Sequence, residues 1–447
     1  MSFSDFIKKM DEQKQVLHIK DQLSTKFEIS RVMKDFDDGP LLLFDNVKSF
    51  KTKVAANVSG TRKRICAALR VEESSLYGRV IDAWRSPRKT KVASDGLVKQ
   101  NIRKNVDLSA FPFLTHFERD AGAYITSGVV HAKSPDGKVE NVSVHRLQVL
   151  DRKHLAIRLV PRHLFNLWRM AKEAGKDLDM AVSVGVHPAV FLAASSPMPF
   201  GVSEFDVANS LLNDGLRLIE CEHVDALAPA DSELVLECKI SAEKEVEEGP
   251  FVDITGTYDI KRKQPLVEVM GIMHRDDYIY HGLLPSGAEH RIMMGLPHEI
   301  MIWEAVSKVL PRVHAVNLSK GGCGWLHAVI SVEKQVEGDG KNALLAAFAA
   351  HPSLKHAVVV DSDINVYDAS EVEWAIATRF QADEDLIVVK NARGSTLDSS
   401  ADQLTGGTTK VGVDATKPFG KPKEKFEKGK IPSSRRVEAL VNRLKGV

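Results

Sequence analysis

Tyr124-Ile-Thr-Ser-Gly-Val-Val-His-Ala-Lys-Ser-Pro-Asp-Gly137-Lys-Val-Glu-Asn-Val-Ser-Val-His-Arg146-Leu-Gln-Val149 decides the reading of the fold. Two β-rich runs, 124–130 and 139–149, flank Ser134-Pro-Asp-Gly137, and a turn signal between such runs predicts an antiparallel hairpin. Further β-rich runs follow at 156–160, 180–186, 232–241 and 251–260, with a helix expected over 165–176 and ending at Gly175. So many short strands need their edges protected, and a small β-barrel or split barrel does this.

Outward from that block the pattern changes on both sides. Before it, Phe3, Phe6, Ile7 and Met10 recur at helical spacing, with Ser4 as the expected N-cap. Gly39-Pro40 then turns the chain into a buried strand, Leu41 to Phe44. Lys89, Lys91, Lys99, Arg103 and Lys104 read as a solvated surface. After the block, a helix over 299–309 is stopped by Pro311, and strands and helices alternate over 326–332, 342–350, 357–360, 372–380 and 385–390. That alternation predicts a parallel or mixed sheet. Asp361-Ser-Asp-Ile-Asn365 lacks the Gly and terminal Glu of a calcium loop, so a strand-end turn is expected. The Lys-rich tail from 417 carries Pro418, Pro422 and Pro432 and predicts a short helix from Ser433 that packs on itself or on a partner subunit. The expected fold class is α/β (α+β). It comprises an N-terminal α/β region (1–110), a central split β-barrel (111–290), a hinge or linker helix (291–320) and a C-terminal α/β domain with an oligomerisation tail (321–447).

Composition narrows the class. A chain of 447 residues with 43% hydrophobic and 27% charged residues is an ordinary globular protein of several domains. A net charge of +1 argues against nucleic acid or an anionic membrane surface as partner. Cys66, Cys221, Cys238 and Cys323 are scattered without a CxxC pair, which favours reduced thiols in a cytoplasmic protein. No apolar h-region opens the chain, and no uncharged run reaches the ~20 residues needed to span a bilayer.

Chemistry enters at Glu248-Gly-Pro-Phe-Val-Asp253-Ile-Thr-Gly-Thr-Tyr-Asp259, where two carboxylates stand on either side of a Gly-Pro break. Two neighbouring acids on such a corner can divide into a proton donor and a charge partner. A solvated acid-rich turn is the plain alternative, since Glu243, Glu245, Glu247 and Glu248 form a charge run. Upstream, Asn141 and Arg146 share Asn-Val-Ser-Val-His-Arg, His163 lies in Val-Pro-Arg-His and Glu204 in Gly-Val-Ser-Glu-Phe. Asn, His and Glu donors suit a hard or borderline divalent ion, particularly with phosphate completing its shell. A structural histidine and an ordinary ion pair of Arg146 are the competing readings. HExxH, GxSxG, Walker and GxGxxG signatures are absent from the sequence.

These motifs, in this order, resemble those of the UbiD-type decarboxylases, which use prenylated FMN. The resemblance continues through His351-Pro-Ser-Leu-Lys-His356, Val360-Asp-Ser-Asp-Ile-Asn365, Val372-Glu-Trp-Ala-Ile-Ala-Thr-Arg379 and Lys410-Val-Gly-Val-Asp414, and so spans Phe3 to about Lys417. It implies that Asn141, His163 and Glu204 hold a divalent metal, Mn2+ or Mg2+, bridging the cofactor phosphate, with K+ beside it. Arg146, Glu248 and Asp253 would form the carboxylate–arginine–carboxylate network above the flavin, and Lys355 is a candidate for the cofactor phosphate. Decarboxylation needs an electron sink that no side chain supplies, so a cofactor must. Arg146 would hold the substrate carboxylate through a bidentate fork, Asp253 would donate the proton that replaces CO2, and Glu248 would orient Arg146.

Asp120-Ala-Gly-Ala-Tyr-Ile-Thr-Ser-Gly, Gly185-Val-His-Pro and Gly321-Gly-Cys-Gly-Trp-Leu-His look most like the family's archaeal branch. That branch is associated with converting trans-anhydromevalonate 5-phosphate to isopentenyl phosphate in a modified mevalonate pathway. The resemblance therefore implies a small unsaturated carboxylic acid as substrate, and Arg291 is the expected contact for its phosphate. A UbiX-type flavin prenyltransferase would supply the cofactor, and a homodimer or homohexamer is expected. An aromatic acid decarboxylase, for instance on a polyprenyl hydroxybenzoate, is the alternative within the class. An FMN-binding split-barrel redox protein is the alternative outside it.

Overall fold

The computed structural model describes residues 1–429 and 431–445. The predicted hairpin forms: Tyr124–Lys133 and Glu140–Val149 pair antiparallel, and Gly137 turns the chain at φ +70°. Six strands then run in the order Leu234–Glu248, Leu178–Val184, Tyr124–Lys133, Glu140–Val149, His154–Ile157 and Arg262–His274. Leu234–Glu248 also pairs with Arg262–His274, so the sheet closes into a barrel. Inward alternation builds its core: Val130, Ala132, Leu147, Leu155, Val182, Leu236, Val267 and Ile272 are all buried in one apolar cluster. Each such aliphatic side chain contributes about 1.5–3 kcal/mol by leaving water.

The expected strand over 251–260 is not part of the barrel. Gly249 at φ +91° ends the long strand, and Phe251–Val252 and Tyr258–Asp259 form a separate two-stranded hairpin. Asp253 N–H donates to the Thr257 carbonyl and Gly256 N–H to that of Asp253, which closes the turn. The sixth barrel strand is instead Arg262–His274, whose polar opening Arg-Lys-Gln-Pro hides the β signal in the sequence. The tiny hairpin therefore stands off the barrel as a flap that carries Asp253 and Asp259.

The N-terminal helix runs Phe3–Glu12 and buries Phe3, Phe6, Ile7 and Met10, as its spacing predicts. Ser2, not Ser4, caps it in a reciprocal pair with Asp5, and Ser4 instead donates to the buried Glu233 at 2.5 Å. Ile279–His281, which follows the barrel, joins Val16–Ile19, Leu41–Phe44 and Lys53–Ala56 in one sheet and fastens the N-terminal region to the barrel. The helix expected from 299 begins eleven residues earlier, as Ala288–Ser307. Asp37 caps it by accepting from Ala288 N–H at 2.5 Å, and Pro297 does not end it. Beyond it, Val313–Leu318, His327–Val332, His356–Asp361, Gly407–Ala415 and Leu386–Arg393 form a five-stranded mixed sheet in that spatial order. Its two outer pairs are antiparallel and its two inner pairs parallel. Asp361 and Asp363 are a strand-end turn gripping the buried Arg379, at 2.9 and 2.7 Å. The terminal helix Arg435–Lys445 exposes Val437, Leu440, Val441 and Leu444. All four cysteines are free, and no described helix is long and apolar enough to cross a membrane.

Candidate active site

Arg146 lies on barrel strand Glu140–Val149, and the flap hairpin folds down onto it. Its Nε and Nη2 donate to the two oxygens of Glu248 at 2.9 and 3.0 Å, a bidentate pair. Nη1 donates to Asp253 Oδ2 at 2.7 Å, and Nη2 also reaches Asp259 Oδ2 at 2.9 Å. The guanidinium carbon sits 4.7 Å from the centre of the Phe251 ring, so the flap covers the cation with an aromatic face. Burial works against a charged Arg146, but Glu248, Asp253 and Asp259 outweigh it and raise its pKa above the usual arginine value.

Glu248 is fully buried and Asp253 is the more open of the two predicted acids, with its side chain 21% exposed. Tyr124 Oη is 3.3 Å from Glu248 Oε1, and Gln148 Oε1 accepts from Gly249 N–H at 3.1 Å, which ties the Gly-Pro corner to the barrel wall. Glu243, Glu245 and Glu247 are solvated, but on the strand Leu234–Glu248 rather than in a turn, whereas Glu248 turns inward.

Two features of the cluster escaped the sequence reading. Asp259 is a third carboxylate on Arg146, itself paired with Arg262 and lying 3.7 Å from Arg158 Nε. Burial opposes its charge, yet Arg262 and Arg146 hold its carboxyl below the usual range. Its signal was present, since it closes the Glu248–Asp259 stretch, but nothing local marks which of two flap acids turns inward. His290, in the first turn of the Ala288–Ser307 helix, is the second. Its Nδ1 accepts from Ser286 N–H at 3.0 Å, so a neutral ring carries its proton on Nε2. Burial keeps this imidazole below its usual pKa, with the Asp253 charge pulling the other way.

On the other side, Glu204 opens helix Glu204–Leu211 and is 3% exposed. Asn141 Nδ2 donates to its Oε1 at 3.1 Å and Val142 N–H to its Oε2 at 2.7 Å. Burial pushes its carboxyl up to about 7, with these two hydrogen bonds opposing that shift. A buried acid that pairs with no cation among the described residues, beside a side-chain amide whose Oδ1 accepts from the Ser143 hydroxyl at 2.9 Å, is a donor set that fits a divalent ion. His163 opens helix His163–Glu173 and packs edge-to-face on Phe200 at 5.3 Å, four residues before Glu204. The structure brings Asn141 and Glu204 into contact and gives His163 no hydrogen bond to either. Among the described residues no three His, Cys, Asp or Glu side chains converge as a ready-made ion cage.

The two predicted phosphate contacts are each paired with an acid of the chain. Arg291 is 12% exposed and paired with Asp37 at 3.0 Å, and it also donates to the Ser286 carbonyl. Lys355 is in the C-terminal domain, 2.7 Å from Asp398.

Comparison with known proteins accords with this geometry. Family models of the 3-octaprenyl-4-hydroxybenzoate carboxy-lyases match in three consecutive parts: the N-terminal domain over 7–84, the Rift-related domain over 90–288 and the C-terminal domain over 291–415. The anhydromevalonate phosphate decarboxylase of Methanothermobacter thermautotrophicus is 42% identical over 424 residues, 95% of this chain and 98% of that protein. The structure of the UbiD-class enzyme HmfF from Pelotomaculum thermopropionicum, in complex with FMN, superposes with a TM-score of 0.95 at 38% identity. It covers 99% of this chain and 100% of its own. An evolved dimeric form of the same enzyme, in complex with prFMN, gives 0.90 at 36% identity over 96% and 97% of the two chains. With its barrel, its arginine flanked by acids and relatives matched over nearly their full length, the chain belongs to the UbiD family of carboxy-lyases.

Proposed function

We propose that this protein decarboxylates trans-anhydromevalonate 5-phosphate to isopentenyl phosphate and CO2, with prenylated FMN as cofactor. The single observation that carries the reading is Arg146 held between Glu248 and Asp253 beneath an aromatic flap. The similarity to an anhydromevalonate phosphate decarboxylase over 95% of the chain supports the substrate, and the flavin-bound relatives support the cofactor. When bound, the prenylated flavin would supply the electron sink for the carboxylate electrons.

The residues of this chain then divide the remaining work. Arg146 draws the substrate carboxylate toward the cluster. Its bidentate face is occupied by Glu248, so the substrate competes with Asp253 and Asp259 for the Nη edge. A contested grip avoids over-stabilising the ground state. As CO2 leaves, a proton must reach the α-carbon, and Asp253, the more open acid, delivers it. Glu248 keeps the guanidinium plane fixed. The overall change is a carboxylate plus one proton giving a C–H bond plus CO2.

Asn141, His163 and Glu204 would hold Mn2+ or Mg2+, which would offset the charge of the cofactor phosphate, with K+ nearby, and Lys355 would contact that phosphate. His163 would have to turn from Phe200 toward the ion. Arg291 is assigned to the substrate phosphate, which would share it with Asp37. A UbiX-type flavin prenyltransferase supplies the cofactor, and the subunits assemble as a homodimer or homohexamer in the cytoplasm. The test is CO2 release by protein coexpressed with a flavin prenyltransferase, given trans-anhydromevalonate 5-phosphate against a panel of aromatic acids. Turnover confined to the aromatic acids would overturn the substrate.

A further inference from the structure

The flap turn that follows Asp253 touches two other elements. A Cβ added at Gly256 would meet the Ser286 hydroxyl at 3.8 Å, and Arg291 donates through Nη1 to the Ser286 carbonyl. The Thr255 carbonyl, two residues from Asp253, is 3.8 Å from Cys323 Sγ. Cys323 belongs to Ser319-Lys-Gly-Gly-Cys-Gly324, the loop that leaves strand Val313–Leu318 of the C-terminal sheet. That loop lies against Arg291: a Cβ at Gly324, whose φ is +64°, would stand 2.9 Å from Arg291 Cβ. The flap turn, Arg291 and the lysine-bearing loop are therefore contiguous.

At the exposed rim of this patch two cations from different domains share one acid. Asp38 Oδ1 lies 3.6 Å from Arg291 Nη2, and its Oδ2 pairs with Lys320 Nζ. Asp37 is held differently. Its Oδ1 accepts from Ala288 N–H, its Oδ2 takes Arg291 Nη2 at 3.0 Å, and its side chain is 12% exposed. Asn57 Nδ2 donates to the Gly39 and Pro40 carbonyls at 3.1 and 2.9 Å and fixes the loop that carries both acids. Asp38 and Lys320, by contrast, are 57% and 67% exposed. An exposed ion pair is weak and yields to a competitor, whereas a buried acid that also caps a helix does not. A phosphate dianion offers the two cations more charge than Asp38 does. A guanidinium and an ammonium aimed at one anion position suit the several oxygens of a phosphate monoester. A Cβ at Gly321 would meet nothing within 4 Å, so the loop leaves room beside Lys320.

We propose that Lys320 joins Arg291 in seating the substrate phosphate, and that Asp38 is a placeholder which that phosphate displaces. Asp37 stays, keeping Arg291 aimed. An acid without a phosphate leaves Asp38 in place and gains nothing from Lys320, so the exchange selects phosphorylated substrates. The inference rests on the reading of the substrate as a phosphorylated acid.

The test exploits the two ends of one ion pair. Full-length protein coexpressed with a flavin prenyltransferase is titrated calorimetrically with isopentenyl phosphate and with isopentenol, as wild type, Lys320→Gln, Lys320→Arg and Asp38→Asn. Lys320→Gln is expected to weaken the phosphate about 10-fold, as loss of a charged contact does, and Lys320→Arg to restore most of it. Asp38→Asn removes the competitor and is expected to tighten the phosphate about 3-fold. Isopentenol binding stays unchanged throughout, and KM for the phosphorylated acid follows the phosphate affinity at unchanged kcat. A bridge that only joins the domains predicts the same change in Lys320→Gln and Asp38→Asn, and that result overturns the seat. Opposite changes in phosphate affinity without CO2 release from the phosphorylated acid keep the seat and overturn the substrate reading. Turnover of that acid with phosphate affinity unmoved by either variant keeps the reading and overturns the seat.

Discussion

Buried acids gather at two places along the barrel strand Glu140–Val149, near Asn141 and near Arg146, and they are neutralised in opposite ways. Around Arg146, three carboxylates (Glu248, Asp253 and Asp259) meet three guanidinium groups (Arg146, Arg158 and Arg262), so the chain balances its own charge. Glu204 accepts from an amide and a backbone N–H and pairs with no cation among the described residues, and burial lifts its carboxyl to about 7. Glu248 and Glu204 are the same residue type and almost equally buried, at 0% and 3% exposure. The difference is whether the compensating cation belongs to the chain or must come from outside. The proposed function gives the closed cluster the reaction and the open one an ion.

The comparison can be broken first at its reactive end. Asp253→Asn keeps the shape and the contact to Arg146 but removes the proton, so kcat is expected to fall about 10²–10⁴-fold. The bound-cofactor absorption spectrum stays unchanged, and exchange of the product's protons with solvent deuterium is lost. Turnover at the wild-type rate would remove Asp253 from its role.

The next largest effect is on stability. Arg146→Met leaves Glu248 buried without its cation and is expected to cost about 3–5 kcal/mol in chemical denaturation. Glu204→Gln keeps the acceptor for Val142 N–H and removes an uncompensated buried acid, so the metal-free variant should be no less stable than wild type. Equal losses in the two variants would erase the distinction between the clusters.

A cation should then repair the open cluster alone. Mn2+ at about 100 times its Kd is expected to stabilise the wild-type protein by about 2.7 kcal/mol and to leave Glu204→Gln unmoved. A comparable gain in Glu204→Gln would place the ion elsewhere.

The smallest effect per pH unit lies outside both clusters, in two buried histidines. Burial holds His116 and His187 down to about 3, so both stay neutral in the fold while the unfolded chain titrates near 6.5. A depressed imidazole favours the folded state fully above its unfolded pKa, and that advantage is lost as pH falls from about 6.5 toward 3. Each should contribute up to about 1.4 kcal/mol per pH unit below 6.5. His116→Phe should flatten the slope of stability against pH over that range, and an unchanged slope would exclude His116 from it.

Legibility followed the range of the interactions. The hairpin 124–149 was readable because its turn and both strands are contiguous, and the strand–helix alternation after 320 for the same reason. The Phe251–Asp259 flap was misread as a barrel strand because alternation alone does not tell a pairing edge from a short hairpin. Arg262–His274 was missed because its first residues are polar and pair with Glu245–Glu248 at the barrel rim. Within the site, Arg146, Glu248 and Asp253 were named from motifs, and the structure brings all three together. Asp259 and His290 were not named, since their relevance comes from contacts across 113 residues and from a helix that starts earlier than its pattern suggests. Asn141 and Glu204 meet as expected, and His163 lies apart on Phe200.

By itself the sequence determined which residue types are available and where short-range geometry places them: the hairpin, the helix periods, the Gly-Pro corner and the ordered family motifs. Tertiary structure alone decided which carboxylates share a cation and which stand unpaired. It also decided which face of the flap turns inward. The physical reason is that propensity and patterning act over a few residues, whereas the charge state of a buried group depends on whatever the closed barrel brings within a few ångströms of it, however far away it lies along the chain.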